Sequence, residues 1–224
     1  DVVDGELDAI RREMARRTIA LLDLGYKEMT PEEALATVDH KKVDVFPFAQ
    51  PWRFRMIPID GASIQQKPPA TCLGLDEKWY DPATSDTQWG TMRTDAATYE
   101  KGWGQDTGFG WYRIELPLSA GDAKRKFHYL HFAACDEDTW VYVNGKQVFT
   151  HTLRSTGLLP EQIWLMPFVV PLTDVELRGN DLLAVRIMNG ESMGGIWKPV
   201  HLVVSDQELN SQQVAAVVGS GVTE

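Results

Sequence analysis

The residues of this sequence best suited to chemistry on a ligand are aromatic and acidic side chains in predicted loops. Trp103 lies between Gly102 and Gly104 and is followed by Gln105 and Asp106. An aromatic ring can stack on the apolar C–H face of a sugar, while carboxylate and amide groups bind its hydroxyls. Trp103 and Asp106 are therefore candidate carbohydrate-binding residues. The alternative for Trp103 is that it folds back and closes one end of the fold.

A second candidate pair is Trp164 and Glu191. Trp164 lies in the stretch 152–166, close to Glu161. It could offer a second aromatic surface, or it could bury that stretch against a sheet or a partner. Glu191 lies in a glycine-rich loop before the last predicted strand. Because the loops of a sandwich fold gather at its ends, Glu191 and Trp103 could converge there.

The acidic run Asp136-Glu137-Asp138 raises the question of a metal. Carboxylates are typical calcium ligands, but neighbouring residues on an extended chain point to opposite faces. We expect a solvated or hydrogen-bonded β-corner here, with a structural calcium ion as the alternative and no other cofactor. The sequence contains neither a Gly-x-Ser-x-Gly elbow nor a P-loop, so we assign no catalytic residue and no metal ligand.

The composition of the chain limits the classes of partner that it could bind. The 224 residues carry a formal net charge of −10, which disfavours binding to nucleic acid because its phosphates repel an acidic protein. No apolar stretch approaches the roughly 20 residues that span a bilayer. Two cysteines, Cys72 and Cys135, are too few for a disulfide framework or a four-ligand zinc site.

The elements that must position these residues differ along the chain. Residues 1–42 predict a short helical appendage, with a first amphipathic helix ending near Gly25. Thr30-Pro31-Glu32-Glu33 has the spacing of a capping box and predicts a second helix over about 31–38. The end of the chain, 205–224, is rich in polar and small residues and predicts a frayed tail.

Residues 43–204 instead favour strands. Runs of β-branched and aromatic residues, divided by turn residues, predict strands over 52–57, 111–116, 127–132, 139–144, 146–151, 168–172, 182–188 and 197–204. Asn144-Gly145 between two alternating runs is typical of a type I′ hairpin. Since no long helix interrupts these strands, a mainly β fold is expected, an antiparallel β-sandwich.

Four blocks follow one another in a fixed order in this region. They are Gly108-Phe109-Gly110-Trp111-Tyr112-Arg113, the run from His131 to Gly145, Gly179-Asn180-Asp181-Leu182, and Gly194-Gly195-Ile196-Trp197-Lys198-Pro199, with Asp86-Thr87-Gln88-Trp89 upstream. The ordered set resembles the N-terminal sugar-binding domain of family-two glycoside hydrolases, the β-galactosidase and β-glucuronidase group. It is similar to the wider class of galactose-binding-domain-like jelly rolls. The resemblance covers about residues 48–204.

The resemblance implies a non-catalytic role. In those enzymes a separate (β/α)-barrel carries two catalytic carboxylates, and such a barrel needs about 250 residues. We therefore expect a carbohydrate-binding accessory domain of a glycoside hydrolase that takes part in polysaccharide degradation. Its partners would be a carbohydrate and either a catalytic glycosidase domain or a second copy of the chain. We favour an extracellular or periplasmic location.

Two other functions remain open. The sandwich could be a structural interaction module that packs on a neighbouring domain or subunit through residues 1–42. Less favoured is a small glycosidase that uses loop carboxylates such as Asp106 and Glu191, because nothing in the sequence fixes their separation. The sequence begins at Asp1 rather than methionine, so we expect a processed chain or a fragment of a longer protein.

Overall fold

The computed structural model of the protein describes residues 29–60, 72–94, 103, 106–191 and 193–221. These residues contain twelve strands: β1 Val43–Pro47, β2 Trp52–Pro58, β3 Gly90–Met92, β4 Gly108–Glu115, β5 Phe127–Phe132, β6 Cys135–Asp136, β7 Asp138–Val143, β8 Lys146–His151, β9 Phe168–Pro171, β10 Leu182–Asn189, β11 Gly195–Ile196 and β12 Val200–Ser205. Each of the eight predicted strands corresponds to one of them. The sequence reasoning missed β1 and the short strands β3, β6 and β11.

The helices of the described residues are short. They are α1 Pro31–Ala36, α2 Leu73–Asp76, α3 Leu153–Thr156, α4 Pro160–Ile163 and α5 Ser211–Gly219, with 3₁₀ turns at His40–Lys42 and Asp122–Lys124. The capping box predicted before α1 is present, since the Glu33 amide donates to the Thr30 hydroxyl oxygen and the Thr30 amide to the Glu33 carboxylate. The first predicted helix and its end near Gly25 lie outside the described residues.

The strands form two main sheets in which every pair is antiparallel. One sheet has the order β1-β12-β5-β9, and the other has the order β3-β2-β4-β10-β7-β8. A third, two-stranded sheet joins β6 to β11. The prediction of a mainly β fold, an antiparallel sandwich, is confirmed.

Alternation along the strands places one apolar core between the two main sheets. On β10, Leu183, Val185 and Ile187 are fully buried in this core, opposite side chains such as Leu130 and Leu202 of the four-stranded sheet. The two cysteines are buried as free thiols. Burial of this apolar surface is the main source of stability for the sandwich.

Both outer faces of the sandwich are also covered by described residues. The segment 72–89 packs over the six-stranded sheet, where Trp79 and Trp89 bury Trp111 of β4. On the four-stranded sheet, Val203 of β12 lies beneath Val214 of α5. The molecule therefore has apolar layers outside its sheets as well as between them.

The end of the chain differs from the prediction of a frayed tail, because Ser211–Gly219 forms helix α5. Asn210 caps this helix through a 2.9 Å hydrogen bond from the Gln213 amide. Val214 and Val217, three residues apart on one face, are buried against the four-stranded sheet. The prediction failed because it weighed overall polarity above this spacing.

Candidate functional site

An open cleft of about 350 Å³ lies at one end of the sandwich, where three segments of the chain meet. The described residues that line it are mostly acidic or apolar: Asp136, Glu137, Pro160, Glu161, Trp164, Glu191 and Met193. Its volume falls in the range of small-ligand sites, about 300–1,000 Å³. The cleft therefore combines an aromatic wall with several carboxylates in one concave surface.

Strand pairing brings the acidic corner and the glycine-rich loop together. β6 and β11 are hydrogen-bonded, with Asp136 opposite Gly195. Gly195 has φ +113°, and a Cβ there would lie 2.5 Å from the hydroxyl oxygen of Tyr112, so only glycine fits. The double glycine of the last block thus sets the position of Glu191 relative to Asp136.

Trp164 is held at the cleft by the helix that precedes it and by Trp197. It follows α4, which begins at Pro160 and whose Ile163 is fully buried. The indole N–H of Trp197 donates to the Trp164 carbonyl oxygen at 2.9 Å, and the two ring centroids are 5.4 Å apart. Trp164 therefore stays half-buried, supported by a second aromatic ring.

The carboxylates at the corner are electrostatically coupled. Burial raises the pKa of Asp136 to about 7, and the negative charges of Glu137 and Glu191 add to this effect. Burial also raises the pKa of Glu137, although its carboxylate accepts a 3.0 Å hydrogen bond from the Gly190 amide, which opposes the rise. The cleft thus concentrates negative charge in a partly dehydrated place.

Asp138, the third residue of the acidic run, has a structural role. Its carboxylate accepts a 2.6 Å hydrogen bond from the Leu153 amide at the start of α3, which ties the segment 152–166 to β7. Among the residues that the structure describes, no group of three or more His, Cys, Asp or Glu side chains is placed to hold a metal ion. The structural calcium ion stays a prediction.

The structure brings together two of the four predicted ligand-binding residues, Trp164 and Glu191, which both line the cleft. Asp106 is exposed beside the same loop, where its backbone carbonyl oxygen accepts a 3.0 Å hydrogen bond from the Asn189 side chain. It is not among the described residues that line the cleft.

Trp103 has the packing role rather than the role of an exposed sugar-binding surface. Only 5% of it is exposed, and its indole N–H donates to the Tyr112 hydroxyl at 2.7 Å within the core. Gly110 and Gly195 lie directly against its ring. A buried ring offers no free face to a sugar, although the Trp103 amide donates a 3.3 Å hydrogen bond to the Gly194 carbonyl oxygen in the loop of Glu191.

The sequence reasoning did not assign Asp136, Glu137 and Met193 to the site, and it treated Glu161 only as a neighbour of Trp164. The acidic run itself predicts a β-corner, with calcium as the alternative, rather than a sugar site. A signal for the corner exists, because the block from His131 to Gly145 and the block at Gly194 belong to one ordered set. No such signal points to Met193 or fixes the position of Glu161.

The β-sandwich is similar in fold to a domain of solved β-glucuronidase structures, which agrees with the resemblance to family-two glycoside hydrolases. The β-glucuronidase of Ruminococcus gnavus matches with a TM-score of 0.52, over 77% of this chain and 30% of that chain, at 15% identity. The complex of that enzyme with D-glucuronic acid gives 0.51 over 77% and 31%, also at 15% identity. At this identity the likeness concerns the fold.

This chain therefore spans about three tenths of the length of the glucuronidase chains that it matches. No protein-family model and no curated protein matches the sequence. No helix within the described part of the chain is long and apolar enough to cross a membrane.

Proposed function

We propose that this chain is a non-catalytic carbohydrate-binding domain, part of or associated with a glycoside hydrolase, and that it binds sugar in the cleft beside Trp164. The observation that carries the proposal is the meeting of a supported aromatic ring with carboxylates in one cleft. The resemblance to one domain of a longer glycoside hydrolase supports an accessory role.

The chemistry of the cleft suits a sugar. The C–H face of a pyranose ring packs on an indole, and Trp197 backs the Trp164 ring so that it keeps its position. Ionised carboxylates accept hydrogen bonds from sugar hydroxyls, and such charge-assisted bonds are stronger than neutral ones. Glu161 and Glu191 are the exposed carboxylates of the cleft and are placed for this role.

Affinity electrophoresis through gels that contain a panel of polysaccharides tests the proposal. We expect at least one gel to retard the chain, and Trp164→Ala to weaken retardation about tenfold or more because the stacking surface is lost. Trp164→Phe keeps an aromatic ring and should retain part of the binding. Retardation by no polysaccharide, or equal retardation of Trp164→Ala, would refute the proposed site.

A second function is favoured by the surface next to the cleft. Leu159, Leu165 and Met166 are 41–47% exposed, which is high for large apolar side chains in one short segment. This surface would suit an interaction module that packs on another domain or subunit. The double variant Leu165→Ser and Met166→Ser separates the two functions. If the chain is an interaction module, the variant should abolish the self-association that sedimentation detects. If the chain is a carbohydrate-binding domain, the variant should leave its retardation in polysaccharide gels unchanged.

A further inference from the structure

The charge of the cleft restricts the sugars that it can accept. Four of its described lining residues are carboxylic acids, namely Asp136, Glu137, Glu161 and Glu191, and none of the described lining residues is basic. The nearby ammonium of Lys198 lies 4.4 Å from the centre of the Trp197 ring. A ligand in the cleft therefore meets the carboxylic acids of the described lining, of which Glu161 and Glu191 are the exposed ones.

Three kinds of sugar would interact differently with these charges. A uronic acid would bring a further carboxylate among those of the cleft, which like-charge repulsion opposes. A neutral sugar could only donate hydroxyl hydrogen bonds. A sugar with a free amine carries an ammonium that can pair with a carboxylate while its ring packs on Trp164.

We propose that the cleft selects glycans that carry free amino groups and rejects those that carry uronic acids. This inference rests on the proposed function, because it takes the cleft as the sugar site. Pairing inside the cleft differs from a general attraction of cations to a protein with a net charge of −10. At physiological ionic strength, salt screens interactions between charges more than about 8 Å apart but leaves pairs in direct contact largely intact. The apolar wall formed by Trp164 and Met193 supplies the part of the binding that salt does not screen.

Calorimetric titration with three oligosaccharides of equal length at about 0.15 M salt tests the selectivity. The probes are the trimer of β-1,4-linked glucosamine, its fully N-acetylated counterpart, and a trimer of galacturonic acid. We expect the glucosamine trimer to bind about tenfold or more tightly than the N-acetylated trimer, and the galacturonic acid trimer to give no heat of binding.

Two matched variants test whether the selectivity for free amino groups arises in the cleft. Glu161→Gln, at an exposed position of α4, should weaken binding of the glucosamine trimer several-fold more than binding of the N-acetylated trimer, which loses only hydrogen bonds from its hydroxyls. Glu208→Gln removes an equally exposed charge beyond the opposite end of β12 and should change neither affinity. Equal effects of the two variants would mean general charge attraction and would overturn the inference.

The remaining outcomes distinguish this inference from the proposed function. If the N-acetylated trimer binds as tightly as the glucosamine trimer and Trp164→Ala abolishes both, the proposed function stands and the selectivity is wrong. Preferential binding of the galacturonic acid trimer would likewise overturn the selectivity alone. If none of the three probes binds and no polysaccharide gel retards the chain, both proposals fail.

Discussion

Two groups of tryptophans lie outside the central core of the sandwich, and their surroundings differ. On the outer face of the six-stranded sheet, Trp79, Trp89 and Trp111 are 0–6% exposed, and Trp79 lies 4.9 Å from Trp89 and 6.1 Å from Trp111 between ring centroids. At the end of the sandwich, Trp164 and Trp197 are only half-buried. The first group stabilises the fold, whereas the second keeps part of its aromatic surface exposed.

The neighbouring charged side chains explain the difference. Arg113 of β4 donates hydrogen bonds to the carbonyl oxygens of Thr84 and Asp81 and pairs with Asp86 at 3.4 Å, so it ties the segment 72–89 over the first group. Around Trp164 the described charged residues include the carboxylates of the cleft and the ammonium of Lys198 over the Trp197 ring. Among the described residues, the anchored segment 72–89 thus distinguishes the buried tryptophans from the half-buried Trp164.

The largest expected loss of stability follows from replacing a tryptophan of the buried group. Trp111→Ala removes a fully buried ring whose edge packs on Gly74, and we expect it to lower the free energy of unfolding by about 3–5 kcal/mol. Urea denaturation followed by circular dichroism measures the change. Among the described residues the indole N–H of Trp111 has no hydrogen-bond partner, so the expected loss is attributed to packing.

Trp111→Phe provides the control for this comparison, because it keeps an aromatic ring and should retain about half or more of that free energy. A loss below about 1 kcal/mol in Trp111→Ala would contradict the distinction between the two groups.

A smaller effect is expected where Trp103 meets the core. A Cβ on residue 110 would lie 2.1 Å from the Trp103 ring, so Gly110→Ala must displace that ring and should cost about 1–3 kcal/mol of unfolding free energy. The same urea denaturation measures it. Gly219→Ala, near the end of α5 with open space around it, should be neutral or slightly stabilising. Equal stability of the two variants would show that Trp103 is free to move.

Much of the fold could be predicted from local patterns. The alternation along β7 and β8 and the Asn144-Gly145 pair were sufficient for the hairpin, in which both turn residues have positive φ. Strand β1, Val43–Pro47, was missed; it pairs with β12, so its partner lies far away in the sequence. Pairing over such distances leaves no local pattern.

The candidate site was only half predictable for a related reason. Trp164 and Glu191 stood out by their loop settings, and the structure places both in the cleft. Trp103 stood out for the same reason but is buried, because Gly110 and Gly195 make room for its ring from two other strands. Glycines near a tryptophan in space can bury it, and sequence neighbours do not reveal them.

A third prediction concerns the stability of the half-buried pair. Trp164→Ala should lower the free energy of unfolding by only about 1 kcal/mol, because the ring is partly exposed and Ile163 still anchors α4. Urea denaturation alongside Trp111→Ala gives the comparison directly. A loss as large as that of Trp111→Ala would assign Trp164 to packing and remove it from the proposed binding surface.

The smallest expected change in stability depends on pH and follows from replacing Asp136. Burial raises its pKa to about 7 from the ordinary value of 3.8, so the folded protein holds this proton more tightly than the unfolded chain. The stability that the bound proton contributes is fully present below the unfolded pKa and is lost as the pH rises through about 7. Asp136→Asn imitates the protonated side chain at every pH, and should therefore match the parent protein in acid and exceed it above neutrality.

We expect the gain in Asp136→Asn to reach about 1 kcal/mol or less above neutral pH, since partial exposure screens the charge. Urea denaturation of both proteins from pH 4 to pH 8 measures it. Burial lowers the pKa of His131 and His151 to about 4, and both proteins lose stability as these histidines take up protons in acid. That loss cancels in the difference between the two proteins. A difference that does not change with pH would mean that Asp136 is as well hydrated as an exposed carboxylate, and the cleft would lack the concentrated charge that separates Trp164 from the buried tryptophans.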